Sequence, residues 1–162
     1  MAKYDCTNDV KEHIKLVQKW IEDFRYILKG RGSVHDASKL RSPEKECFDK
    51  WTPQLKVLEF GSPEYKNALS EMGEGLKHHY AVNSHHPEHY PNGIDGMTLY
   101  EVVEMVCDWM AAAEKKEVPV DMDYLQKRFN ISPQLRSIIE NQFREIDTET
   151  ISNNMPRNTF LK

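Results

Sequence analysis

The sequence predicts an all-α fold, and three observations carry that expectation. Apolar residues recur at three- and four-residue steps along most of the chain, and helix-start signatures stand ahead of those segments. No segment of five or more residues alternates apolar and polar side chains with β-branched enrichment, so no strand is expected. A chain of 162 residues is most simply one domain with a sizeable core. About six to seven helices are expected over residues 1–152, with 153–162 as a loose tail lacking periodicity.

Val10, Ile14, Val17, Ile21, Phe24 and Leu28 place the first amphipathic helix over about 9–29, and Gly30-Arg31-Gly32 is expected to end it. Ser33 is then expected to cap a short helix carrying Val34 to Leu40. Ser42-Pro43-Glu44 offers an N-cap, a first-turn proline and an acidic residue to the next helix, and Ser62-Pro63-Glu64 repeats the signal. From the latter, Tyr65, Leu69, Met72, Leu76 and His79 share one face of a helix that must tolerate Gly73 and Gly75. The stretch 81–97, AVNSHHPEHYPNGIDGM, is irregular, and loops of that length inside a domain are usually functional. Thr98-Leu99-Tyr100-Glu101 is a capping box, and the helix it opens, through Val102, Val106, Trp109, Met110 and Ala113, is apolar enough to be central. Two more helices are expected, Asp123 to Phe129 and Ser132-Pro133 to Phe143, with Asn130 as the stop between them.

The formal charge of -4 gives no broad basic face, which disfavours long nucleic acid and suits a small phosphorylated ligand. Cys6, Cys47 and Cys107 are odd in number and lack CxxC spacing, so a reducing cytoplasm is expected rather than a disulfide framework. The opening MAKYDCTNDVKEH has no apolar signal-peptide core, and no run of 18 apolar residues occurs, so a membrane-spanning or secreted protein is not expected.

Chemistry gathers around the histidines, all 7 of which fall between His13 and His89. His13 lies on the same side of its helix as Val10 and Val17, His35 is followed directly by Asp36, and Asp108 interrupts the most apolar helix. Each has a plainer explanation alone: a core histidine, a solvated turn, an aspartate facing water or an arginine. Together they make a mixed imidazole and carboxylate set of the kind that iron, zinc or manganese accepts.

In that order, H then HD then D on separate helices, the chain resembles the HD superfamily of metal-dependent phosphohydrolases. His35-Asp36-Ala37-Ser38-Lys39 is similar to the HDxxK element of its HD-GYP branch, and His85-His86-Pro87-Glu88-His89-Tyr90-Pro91-Asn92-Gly93 to that branch's HHE and GYP segment, although the GYP tripeptide itself is absent. Asp108-Trp109-Met110-Ala111-Ala112 resembles the last metal aspartate and its continuation, so the resemblance covers roughly residues 10–113. The whole chain also looks like small HD-like proteins from phages and bacteria carrying HDxSK, HHY, HHPEHY and DWxAA.

The resemblance implies an HD-like helical bundle holding one or two divalent transition ions. His13, His35, Asp36 and Asp108 are the implied primary ligands. For a second ion it nominates His78 or His79 and His85 or His86. Helical phase favours His79, since His78 is rotated by about 100° from the apolar face at 3.6 residues per turn. The expected activity is hydrolysis of a nucleotide or signalling-nucleotide phosphoester by metal-activated water; a metal-stabilised module that binds a nucleotide or protein without turnover is the alternative. Asp36 is expected to position the attacking water. Lys39, one helical turn from both members of the pair, is expected to reach the phosphate, with Arg31 as a second clamp. Glu88 and His89 are candidates to support the ligands, and Tyr80, Tyr90 and Trp109 to stack on a base. Many HD-type enzymes are dimers, and the helices after residue 120 could provide a homodimer interface.

Overall fold

The computed structural model describes residues 4–152, with side chains through residue 147, so the expected tail at 153–162 lies outside the described residues. Seven α-helices and no strand occur among the described residues: α1 (Thr7–Val34), α2 (Glu44–Val57), α3 (Pro63–Glu71), α4 (Gly73–Val82), α5 (Leu99–Lys116), α6 (Met122–Phe129) and α7 (Pro133–Ser152). Short 3-10 turns lie at Ala37–Leu40, Pro87–His89 and Gly93–Gly96. The fold class is therefore all-α, as periodicity predicts. The backbone parts into two units between His35 and Asp36.

The N-terminal unit is α1. It runs past Gly30 and Gly32 to Val34, five residues beyond the expected end, because a glycine inside a helix costs only about 1 kcal/mol and does not forbid it. Ser33 does not cap a following helix; its hydroxyl donates backward to the Gly30 carbonyl at 2.7 Å. Taken by itself, α1 buries none of its residues, His13 included, and Arg31 lies in its last turn rather than on a loop. His35 follows with ψ at 128° and ends the helix.

The second unit opens on Asp36 in the left-handed region (φ 57°), a conformation that a short polar side chain tolerates. His35 and Asp36 thus do not share the expected short helix: one terminates α1, and the other turns the chain into the 3-10 turn at Ala37–Leu40. Ser42 is not the cap of α2 either, since Pro43 occupies that position after a cis Ser42-Pro43 bond. Ser62 does cap α3, accepting from the Tyr65 N–H at 3.0 Å. The single helix expected across residues 63–79 breaks at Gly73, whose φ of +51° is open to glycine, giving α3 and α4.

Helices α2, α3 and α4 pack on one another around Trp51, Ala68 and Met72. A second cluster joins α5, α6 and α7 through Met105, Val106, Ala113, Leu125, Ile139 and Phe143. The Lys116 ammonium at the end of α5 donates to the Leu55 and Leu58 carbonyls at 3.2 and 2.9 Å, satisfying acceptors left open at the C-terminus of α2. Thr98 and Glu101 form the expected capping box of α5; Asp121 caps α6, Asn130 stops it at φ 52°, and α7 continues beyond Phe143 to Ser152. No helix among the described residues is long and apolar enough to cross a membrane.

The approach of α4 to α2 sets the site described below. A Cβ at Gly75 would stand 2.5 Å from both Cβ and Sγ of Cys47. Gly75→Ala is accordingly expected to destabilise the protein by about 1–3 kcal/mol through overpacking, read as a lower urea midpoint at unchanged slope.

Candidate metal centre

The centre is assembled from three short pieces of the second unit. The reversal at Asp36 supplies a carboxylate, the last turns of α4 supply His79, and the segment after α4 supplies His85 and His86. Each of these four residues offers a donor atom, and the four atoms lie within 4.8 Å of one another. Asp36 Oδ1 stands 3.3 Å from His79 Nε2 and 3.5 Å from His85 Nε2, and the Nε2 atoms of His79 and His86 are 2.8 Å apart. The side chains of His79 and His85 are sheltered, at 2% and 3% exposure, while His86 is partly buried and the Asp36 side chain is 21% exposed. A carboxylate oxygen and three imidazole nitrogens converging so closely fit a borderline divalent cation, and the absence of a thiol from the group points away from softer ions.

Carboxylates stand behind the imidazoles. His79 Nδ1 donates to Glu44 Oε2 and His78 Nδ1 to Glu44 Oε1, both at 2.8 Å, while His85 Nδ1 lies 3.3 Å from Glu104 Oε1. Glu44 is fully buried at the start of α2. Burial pushes its carboxyl up, but hydrogen bonds from His78, Ser38 and His79 outweigh that and hold it below the usual carboxylate range. Burial pushes the His79 imidazolium down, and the Lys39 ammonium adds to the effect against the opposing pull of Glu44 and Asp36.

The histidine-bearing loop is fixed from two sides. On one, Glu101 accepts from the Tyr90 hydroxyl at 2.8 Å and from the Thr98 N–H and hydroxyl at 2.7 and 2.9 Å. On the other, Arg128 of α6 donates to Glu88 at 2.7 Å and to the Tyr80 hydroxyl at 3.3 Å, and His89 Nδ1 donates to the Tyr80 carbonyl at 2.9 Å. Burial raises the Glu101 carboxyl, but the Thr98 N–H and the hydroxyls of Ser84, Tyr90 and Thr98 prevail and bring its pKa to about 2. Because this value lies below the ordinary 4.5, the Glu101 contribution is complete above about pH 4.5 and is lost as pH falls toward 2; it is worth about 3 kcal/mol. Chemical unfolding across that window is expected to show a steeper loss of stability in the native protein than in Glu101→Gln.

The structure therefore brings Asp36, His79, His85 and His86 together, with Lys39 beside them: its ammonium donates to Asp36 Oδ2 at 2.5 Å and lies 4.6 Å from the Phe48 ring centre. Asp108, half-buried on α5, has a carboxylate oxygen within 4.8 Å of a His85 ring nitrogen but is not in the group with His79 and His86. His13, His35 and Arg31 belong to the N-terminal unit. His78 is 43% exposed and turns to Glu44 rather than into the group. Glu88, expected to orient an imidazole, is engaged by Arg128 instead, because the loop places it against α6. Of the aromatics expected to stack on a base, Trp109 stacks on Phe129, and the hydroxyls of Tyr80 and Tyr90 meet Arg128 and Glu101.

Glu44, Glu104, Glu101, Ser38 and Asn83 escaped the sequence reading. Glu44 and Glu101 carry local signals, but only as helix-start acids; their bonds to His78, His79 and Tyr90 depend on tertiary approach. Comparison with curated proteins and with solved structures gives no match. A family model matches residues 2–145, and the chain belongs to that family, described as a family of unknown function (DUF5662).

Proposed function

We propose that this chain is a metal-dependent phosphohydrolase of the HD type, acting on a phosphoester of a nucleotide or signalling nucleotide. The observation that carries the reading is the convergence of Asp36, His79, His85 and His86 with an ammonium, Lys39, seated on the same aspartate. The residues suit one or two ions of iron, manganese or zinc. Such an ion, when bound, lowers the pKa of water and polarises a phosphoryl oxygen.

The chain's own groups divide the remaining work. Asp36 is the most exposed of the three donors whose exposures are compared above, which supports a site with room for water and substrate rather than a closed structural one. Lys39 neutralises Asp36 in this state and has a phosphate as its natural alternative partner. Asp108, with a carboxylate oxygen within 4.8 Å of a His85 ring nitrogen, offers a further carboxylate for a second ion. His13 as a ligand and Arg31 as a phosphate clamp rest on the sequence pattern alone. Three free cysteines among the described residues support a reducing compartment, the cytoplasm.

Phosphate release from a panel of nucleotide mono-, di- and triphosphates and cyclic nucleotides, with manganese, iron or zinc supplied, tests this reading. Lys39→Ala is expected to lower kcat/KM on the best substrate by about 10²-fold, the scale of removing one charge-stabilising donor. A panel that binds tightly yet yields no phosphate under any of these metals would replace the hydrolase by a binding module.

A further inference from the structure

We propose that Glu44 is a positioning residue which fixes the tautomer of His79, with Glu104 in the parallel role for His85. The inference deepens the metal-centre reading and rests on it. Its basis is the direction of every proton around Glu44. The Asn83 amide nitrogen has two hydrogens, and it lies 2.8 Å from Ser38 Oγ and 2.9 Å from the His79 carbonyl, two groups able to accept them. Although the same nitrogen is also 2.9 Å from His79 Nδ1, both hydrogens are then committed elsewhere. Ser38, having accepted from Asn83, donates its own hydrogen to Glu44 Oε2 at 2.8 Å. Glu44 is fully buried and, as a carboxylate, only accepts; it receives Ser38 and His79 on Oε2 and His78 on Oε1.

The relay runs from Asn83 through Ser38 to Glu44, and it leaves one assignment for His79. In the neutral ring the proton is on Nδ1, so the lone pair is on Nε2, the atom that faces Asp36 and His86. His86 Nε2 accordingly donates to His79 Nε2 in this state, and its proton must leave that nitrogen for His86 to join a cation. Helix α2 thus reaches the centre without contributing a ligand. Sequence separation explains why: Glu44 and His79 are 35 positions apart and meet only when α2 packs on α4. A glutamine at position 44 would offer one acceptor oxygen to the same three donors, and its amide hydrogens would face at least one of them.

Long-range proton–nitrogen correlation spectra of the metal-free full chain, combined with zinc affinity by competition against a chromophoric chelator, test the proposal. The native protein is expected to show His79 protonated at Nδ1. Glu44→Gln is expected to populate the Nε2-protonated form and to weaken zinc binding by about 10- to 100-fold, the effect of removing an outer hydrogen-bond partner of a ligand. Glu104→Gln is expected to weaken zinc similarly while leaving the His79 signal in place. His78→Ala, which removes another donor from Glu44, is expected to leave the His79 tautomer unchanged. Should Glu44→Gln not fold, the native His79 spectrum and the Glu104→Gln affinity still decide. Nε2 protonation in the native protein, or zinc affinity within about twofold of native in each glutamine variant that folds, would overturn the proposal. If native His79 is Nδ1-protonated but the protein takes up no zinc, the metal-centre reading fails and the orienting role of Glu44 stands.

Discussion

Asp36→Ala protein is expected to lose phosphate release altogether and to hold zinc or manganese at least about 10²-fold more weakly than native, more than the loss of an outer partner causes. Asp36 is the only carboxylate in the group of four, and its two oxygens divide their work: Oδ1 faces His79 and His85, and Oδ2 holds Lys39. Its removal takes away the one negative charge among the four proposed ligands, and also releases the ammonium assigned to phosphate. Metal analysis after dialysis, paired with phosphate release, reads both. Native-like activity in this variant would remove Asp36 from the chemistry. Asp108→Ala is the companion measurement, expected to reduce activity without abolishing zinc uptake, since Asp108 lies near His85 but outside the group of four.

Glu44→Ala is expected to be among the most destabilising single substitutions in the second unit, by about 3–5 kcal/mol, read from urea denaturation of the metal-free protein. Three donors converge on this fully buried carboxylate, and alanine would leave the hydrogens of Ser38 and His79, and that of half-exposed His78, without their acceptor. Some of the cost is recoverable, because His78 can turn to water while buried His79 cannot. A loss below about 1 kcal/mol would mean that the cavity hydrates freely and that the carboxylate is not the hub of the network.

What could be read from the chain follows the range of the interaction. Thr98 with Glu101, Ser62 with Tyr65, and Asn130 at the end of α6 act over three or four residues or within one, and each appears where the sequence placed it. Gly30 and Gly32 show the limit of such signals, since their modest cost did not stop α1. Gly73, weighed in the same way, did divide a helix, because its backbone is left-handed rather than helical. His79 could be distinguished from His78 by helical phase, and it is the buried one. Phase is silent about the loop pair: His85 and His86 both enter the group, brought there by the Glu101 and Arg128 anchors rather than by any periodicity. The same phase argument places His13 on the apolar side of α1, and an amphipathic pattern by itself only proposes a buried face.

X-ray absorption at the zinc edge of the loaded full chain tests the centre most directly. The spectrum is expected to show nitrogen and oxygen donors at about 2.0–2.2 Å with imidazole scattering, no sulfur at about 2.3 Å, and loss of imidazole scattering in His79→Ala and His85→Ala. A sulfur-ligated zinc, or a native-like spectrum in both histidine variants, would show that the ion sits elsewhere and contradict the site built from Asp36, His79, His85 and His86.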